Sequence, residues 1–309
     1  MQGFVFECGL GVAKSYVEAA KWYKKAADQG HPSGQFYLGR LYEDGRGVAE
    51  SDKTALYWYK KAALEGDSNA QCNLGNMYDD GRAVAKSDVE AVRWWRKAAE
   101  QGHMTAQRYL GAMYEEGRGV AQSYEKAAYW CKKSADQGES TAQAKLGFLY
   151  DKGRGLPQSD AESVRYYKLA AEQGVPTAQC SLGACYFHGR GVPQSDAEAA
   201  RCCKIAADQG LAAGQHFMGM LSEHGRGVPQ SDVKAAQWYR KAADQGYAPA
   251  QMNLGYLFEL GLGVAQSYSE AAKWYREAAE QKHVEAACKL ALLAAVGHVP
   301  QSAAEPRNR

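Results

Sequence analysis

Cys180, Cys185, His188, Cys202 and Cys203 crowd into one short stretch, and four ligands drawn from them would suit a tetrahedral zinc ion. Two S-x-x-K strings, Ser123-Tyr124-Glu125-Lys126 and Ser231-Asp232-Val233-Lys234, carry the nucleophile-plus-base spacing of penicillin-recognising enzymes. Glycine-rich turns such as Gly45-Arg46-Gly47 resemble backbone cradles for phosphate. What each of these can do depends on the elements that position it.

Those elements repeat. The chain aligns on itself with a period of 36 residues and no slip from Gly39 through Gly75, Gly111, Gly147, Gly183, Gly219 and Gly255. Each unit reads S-x-x-E-A-A-x-W-Y-K-K-A-A-D-Q-G, a short link, then A-Q-x-x-L-G-x-x-Y-x-x-G-R-G-V-x-Q, which fits two helices and two turns. Ser15, Ser51, Ser87, Ser123, Ser159, Ser195, Ser231 and Ser267 open helix A as N-caps. Glu18, Glu90, Glu162, Glu198 and Glu270 stand three residues on and predict the reciprocal capping box. Helix A stops at Gly30 and its equivalents, and helix B at the Gly45 series, where a left-handed residue suits a C-terminus. At ~100° per residue, Ala19, Trp22, Tyr23, Ala26 and Ala27 share one broad core face. The Gly39 series places glycine inside helix B at about 1 kcal/mol each, which calls for compensation by close helix approach.

On this frame the chemical motifs lose their chemistry. Ser123 and Ser231 are the repeat's N-caps, and no S-D-N or K-T-G element accompanies them. The Gly-Arg-Gly turns lack a Lys-Ser/Thr partner and follow a helix rather than a strand. Cys202 and Cys203 occupy the Trp-Tyr phases, Cys185 a Leu or Met phase, and Cys180 shares its phase with Cys72 and Cys288. They are therefore expected as core thiols without metal. No cofactor is implied. His31, His103 and His283 fall at the link between the two helices and are expected to be solvated. In the sixth hairpin, Cys202, Cys203 and Ser222 replace Trp, Tyr and Tyr, which predicts the softest point of the array.

The strings Ala-Ala-x-Trp-Tyr-x-x-Ala-Ala and Leu-Gly-x-x-Tyr-x-x-Gly-x-Gly-Val resemble the Sel-one-like repeat, a tetratricopeptide-like class, over nearly the whole chain. The resemblance implies an all-α, α/α superhelical solenoid of eight 36-residue helix-turn-helix repeats with partial repeats at both ends. It also implies a non-enzymatic scaffold or adaptor. The expected divisions are a partial repeat over 1–12, the solenoid over 13–298, and an aborted repeat and tail over 299–309, with Ser302 to Glu305 restarting helix A and Pro306 stopping it. The cysteine pair with which one branch of the family staples each hairpin is replaced here by Ala27, Gln35 and their equivalents. Phe4, Phe6 and the apolar run from Leu290 to Ala295 look uncapped, so end-to-end association is a possible role for them.

Opposite the helix-A core lies a stripe that packing leaves unspecified. Its first row holds Lys21, Tyr57, Arg93, Tyr129, Arg165, Arg201, Gln237 and Lys273; the next holds Lys24, Lys60, Arg96, Lys132, Lys168, Lys204, Arg240 and Arg276. An acidic row follows at Asp28, Glu100, Asp136, Glu172, Asp208, Asp244 and Glu280. In tetratricopeptide-like solenoids helix A lines the concave surface, which makes the first two rows the expected contacts for a peptide or protein. RNA binding is the alternative, because Arg and Tyr interleave, and a hydrolase is a third. The acidic row and a net charge of only +2, from 37 basic and 35 acidic residues, count against a polyanion. No apolar run reaches the ~20 residues of a membrane span. Met1 to Val12 contains no basic segment leading into an apolar run, so a cytoplasmic location is expected, with a secreted or periplasmic one left open.

Overall fold

In a computed structural model, residues 2–300 are described; the proposed restart at Ser302 to Pro306 lies outside them. Among the described residues there are seventeen helices and no strand, and within each of two units consecutive helices pack against one another in a repeating solenoid pattern. The chain divides into two compact units at Gln158/Ser159. The first contains α1 (Gln2–Cys8), α2 (Tyr16–Asp28), α3 (Pro32–Asp44), α4 (Asp52–Leu64), α5 (Ser68–Asp80), α6 (Asp88–Glu100), α7 (Met104–Glu116), α8 (Tyr124–Asp136) and α9 (Ser140–Lys152). The second contains α10 (Asp160–Glu172), α11 (Pro176–His188), α12 (Asp196–Asp208), α13 (Ala212–His224), α14 (Asp232–Asp244), α15 (Ala248–Leu260), α16 (Tyr268–Glu280) and α17 (Val284–Ala295). Even-numbered helices are helix A of a hairpin and odd-numbered ones helix B.

The serine caps form as expected. Each Oγ accepts from the backbone N–H three residues on, at 3.2–3.3 Å for Ser15, Ser51 and Ser87. Ser123 and Ser231 cap Lys126 and Lys234 in the same way, both at 3.3 Å, which places the S-x-x-K strings in helix termini.

The other half of the capping box does not form, and the reason is the preceding hairpin. The N–H of Ser15, Ser51, Ser87 and Ser123 donates at 2.9 Å to the carbonyl of Phe6, Tyr42, Tyr78 and Tyr114 near the end of the previous helix B. With that donor already bonded, the glutamate at N3 has nothing to reach back for. It turns outward instead and pairs with the stripe cation three residues on, as Glu18 with Lys21 at 2.7 Å and Glu162 with Arg165 at 2.7 Å.

Small residues let the helices approach. A Cβ added to Gly39 would lie 2.9 Å from the Tyr59 ring, at Gly75 2.5 Å from Trp95, and at Gly255 2.7 Å from Tyr275. In these hairpins the second aromatic of helix A thus seats on the glycine of the helix B before it, and burying that ring offsets the helix-propensity cost. The turns need glycine for a different reason. Gly47 has φ +72°, and a side chain there would meet the Tyr16 carbonyl at 2.5 Å. Ala83 occupies this phase in the second hairpin with φ 56°, and Lys282 replaces the Gly30-type residue with φ 66°.

A polar network stitches neighbouring hairpins through the core. Tyr23, Tyr59, Tyr239 and Tyr275 donate their hydroxyls to Glu7, Glu43, Glu223 and Glu259, sixteen residues upstream, at 2.5–2.7 Å. Burial, then the carboxylate bond, pushes each of these phenols well above its usual range. A bond of this charged kind is worth about 1.5–3 kcal/mol. A second rail is built of amides. Gln71 donates to the Ala63 carbonyl at 3.0 Å, while its own Oε1 accepts from Gln101 at 2.8 Å; Gln107 and Gln137, Gln179 and Gln209, Gln215 and Gln245, and Gln251 and Gln281 repeat this link.

Candidate interaction surface

Helix A presents its outer face to solvent in every hairpin. Lys21, Tyr57, Arg93, Tyr129, Arg165, Arg201 and Lys273 are exposed, as are Lys24, Lys132 and Lys168. Lys60 and Arg96 are half-buried. Arg96 is drawn inward because its guanidinium donates to the Tyr114 hydroxyl at 3.0 Å.

The charges on this face are largely spoken for. Besides the pairs to the N3 glutamates, the second row bonds along the helix to the acidic row: Lys24 to Asp28 at 3.0 Å, Lys132 to Asp136 at 3.3 Å, and Lys204 to Asp208. Each pair is worth only a few tenths of a kcal/mol to the helix. Their larger effect is on the field, which alternates in sign over one turn instead of presenting a continuous positive track. Arg165 and Arg201 are held even more firmly protonated by their glutamates.

Sequence inspection missed a row one residue further on, Lys25, Lys61, Lys97 and Lys241. Each lies over the first aromatic of its own helix, at 4.5 Å from Trp22, 5.3 Å from Trp58, 4.4 Å from Trp94 and 4.3 Å from Trp238. From the preceding hairpin, Lys24 and Lys204 reach the same rings of Trp58 and Trp238 at 5.7 and 5.6 Å. Trp58 and Trp238 therefore each lie within reach of two cations, contacts worth ~0.5–1 kcal/mol each where exposed. The lysine three residues after Trp in the repeat was the available signal. Beside these rings, Tyr57 and Tyr129 are 50% and 53% exposed and stand edge-on to Trp58 and Trp130 at 4.9 and 5.0 Å.

The cysteine stretch is interior. Cys185, Cys202 and Cys203 are buried and Cys180 half-buried. Cys203 seats on Gly183, where an added Cβ would lie 2.4 Å from its Sγ. Contact with Cys180, then burial, raises the Cys203 thiol far above the ordinary range, and burial pushes Cys131 up to about 12. Such thiols are poor nucleophiles at neutral pH. Among the described residues no three of His, Cys, Asp and Glu converge as metal ligands. The link histidines differ from expectation: His103 and His283 are N-caps of helix B, their Nδ1 accepting from Ala106 and Ala286 at 3.2 and 3.4 Å. The Gly-Arg-Gly arginines bridge hairpins, as Arg118 does between Asp88 at 2.7 Å and Asp79 at 2.6 Å.

Stacked two-helix units, glycine-seated aromatics and a solvent-facing helix-A row define a helical-repeat protein of the tetratricopeptide type. A family model described as the Sel1 repeat matches residues 3–31, 32–67, 68–103, 105–139, 140–175, 176–211, 212–247 and 248–283, and the chain belongs to the Sel1 repeat family. Members of this family are in general protein-interaction scaffolds. Among solved structures it is similar to c5321, a protective antigen of uropathogenic Escherichia coli strains with an SLR fold (35% identity, TM-score 0.82), covering 96% of this chain. It spans 63% of that protein. A Sel1 repeat protein from Oxalobacter formigenes is 34% identical with a TM-score of 0.70, over 89% of this chain and 80% of that one. No curated protein matches. No helix among the described residues is long and apolar enough to cross a membrane.

Proposed function

We propose that the chain is a non-enzymatic scaffold that holds an extended peptide or protein along its helix-A faces, with Tyr57, Tyr129 and the arginines of the first row as anchors. The observation that carries this reading is the pairing of exposed tyrosine with a neighbouring tryptophan, on a surface where most stripe cations of the other hairpins are paired with carboxylates of their own helix. Tyrosine and arginine give large contact area at modest entropic cost and dominate protein interfaces. Matched charges attract no polyanion strongly, which favours a protein partner over RNA. Affinity capture from native lysate tests it. Changing Arg93, Tyr129, Arg165 and Arg201 together to Ser should leave melting within about 0.5 kcal/mol per site, as for exposed positions. Capture should weaken by about 1–2 kcal/mol per true anchor. Retained capture, with loss on changing helix-B charges instead, refutes the helix-A face; salt-sensitive binding to homopolymer RNA refutes the choice of partner.

A further inference from the structure

The sixth hairpin lacks a ring that its neighbours use. The phase near the end of helix B holds Tyr42, Tyr78, Tyr114, Tyr150 and Tyr186, but Ser222 in α13. Ser222 spends its hydroxyl on the Met218 carbonyl at 2.8 Å, and the place of the ring is a cavity of about 330 Å³. Met218, Ser222, Val228 and Pro229 line it with Trp238, and Lys204, Lys234 and Lys241 stand around it.

The third hairpin shows what such a space accepts. There Arg96 donates to the Tyr114 hydroxyl at 3.0 Å, and Lys126 lies over the ring at 5.4 Å. Three periods on, those two cations are Lys204 and Lys234, with no ring between them. Lys234 also replaces the glutamate found at Glu18, Glu90, Glu162, Glu198 and Glu270, and Gln237 stands where the other hairpins carry Lys, Arg or Tyr. Lys204 keeps Asp208 as a partner. The local balance is nonetheless positive, unlike the hairpins in which a glutamate at that phase pairs with the first-row cation.

We infer that the cavity at Ser222 is a binding pocket for the tyrosine side chain of an acidic peptide segment. The ring enters against Met218 and Val228 and stacks by Trp238. Its hydroxyl accepts from Lys204 as Tyr114 accepts from Arg96. Carboxylates flanking it in the peptide meet Lys234 and Lys241. An apolar space of molecular size takes up a ring that fits it, and rim charge selects the sign of its neighbours. The inference deepens the scaffold reading but fails separately from it, because its test needs no native partner.

The probes are three capped tripeptides, Glu-Tyr-Glu, Glu-Ala-Glu and Lys-Tyr-Lys, titrated against the whole chain while following the Trp238 indole resonance, assigned by W238F. Glu-Tyr-Glu should bind roughly three- to tenfold more tightly than either control. S222Y supplies the missing ring from within the chain; it should raise the melting temperature and abolish the Glu-Tyr-Glu shift. K234E, at an exposed site, should weaken Glu-Tyr-Glu and favour Lys-Tyr-Lys without altering melting. Equal binding of Glu-Ala-Glu, or an undiminished shift in well-folded S222Y, overturns the pocket. Loss of the shift in S222Y with an unchanged response to K234E overturns the charge selection.

Discussion

The amide rail contains one missing donor. In the hairpins of α6, α8, α12, α14 and α16, the glutamine just past helix A donates to the helix-B glutamine before it at 2.8–2.9 Å. After α4 the same position is Glu65, whose carboxylate has no hydrogen to give, and Gln35 Oε1 is left buried without a partner. Turning the Gln35 amide over would aim its oxygen at the Ala27 carbonyl, which its Nε2 now approaches only at 3.5 Å, so either orientation leaves a group unsatisfied. An unmet buried acceptor costs about 1–3 kcal/mol, and restoring a neutral bond nets about 1. Glu65 is exposed, which puts the expected gain for E65Q near the lower figure, about 1 kcal/mol. If the first unit melts as its own cooperative block, that is about 2–4 °C. Urea denaturation followed by circular dichroism reads it, with Q101E as the reciprocal: deleting the donor to Gln71 should cost at least as much. A neutral E65Q alongside a damaging Q101E would show that Gln35 finds another partner, and the reasoning about the rail would be wrong for that hairpin.

Other outcomes follow from named residues. A83G should raise stability by about 1 kcal/mol, because the left-handed conformation at φ 56° penalises a Cβ, whereas G119A should lower it by more, since its Cβ would meet the Asp88 carbonyl at 2.4 Å. His216 lies between the rings of Tyr239 and Tyr247 and bonds Asn253 at 3.2 Å, and burial pushes its pKa down to about 4. The unfolded chain therefore binds a proton there that the folded chain refuses. Stability should fall as pH drops from about 6.5 toward 4, by about 2 kcal/mol, and H216F should flatten that slope in pH-dependent urea melts.

What the sequence makes legible is whatever the 36-residue phase determines within one helix: the serine caps, the alanine face, the glycine that must be approached closely. Contacts between hairpins were hidden because they join phases that carry no local periodicity. Tyr59 and Glu43 are sixteen residues apart across a turn, and Gln71 and Gln101 are thirty apart. The capping-box expectation failed on such a contact, since the serine N–H that glutamate would have served is taken by the previous hairpin. The expected softness of the sixth hairpin divides in the same way. Where Cys203 replaces tyrosine, the residue sixteen before it is Phe187 instead of a carboxylate, packed against Phe217 at 5.3 Å and beneath Arg226 at 3.7 Å. Ring and acid were lost together, and new aromatic bulk took their place; the uncompensated loss is at Ser222. The anchor rows were readable as exposed, but the glutamate partners that mute their charge were not.

The tyrosine-to-glutamate bonds also say where this chain's modules begin and end. Covalently the eye picks out a hairpin of helix A followed by helix B. Yet the hydroxyl bond, the serine N–H bond and the glutamine-to-glutamine bond all run from a helix B to the helix A after it. Across the link within a hairpin, the recurring side-chain bond of this kind is glutamine to the alanine carbonyl. The unit that carries its own adhesive is therefore helix B with its successor, as in 32–64, and the family model divides the chain in the same frame, at 32–67 and 68–103. Gene duplication or grafting that breaks the chain near Gly66 transplants intact joints, whereas a break in the Gly45 to Ser51 turn hands each fragment half of every one. An array of this kind lengthens without redesign only when it is spliced out of phase with its visible hairpins.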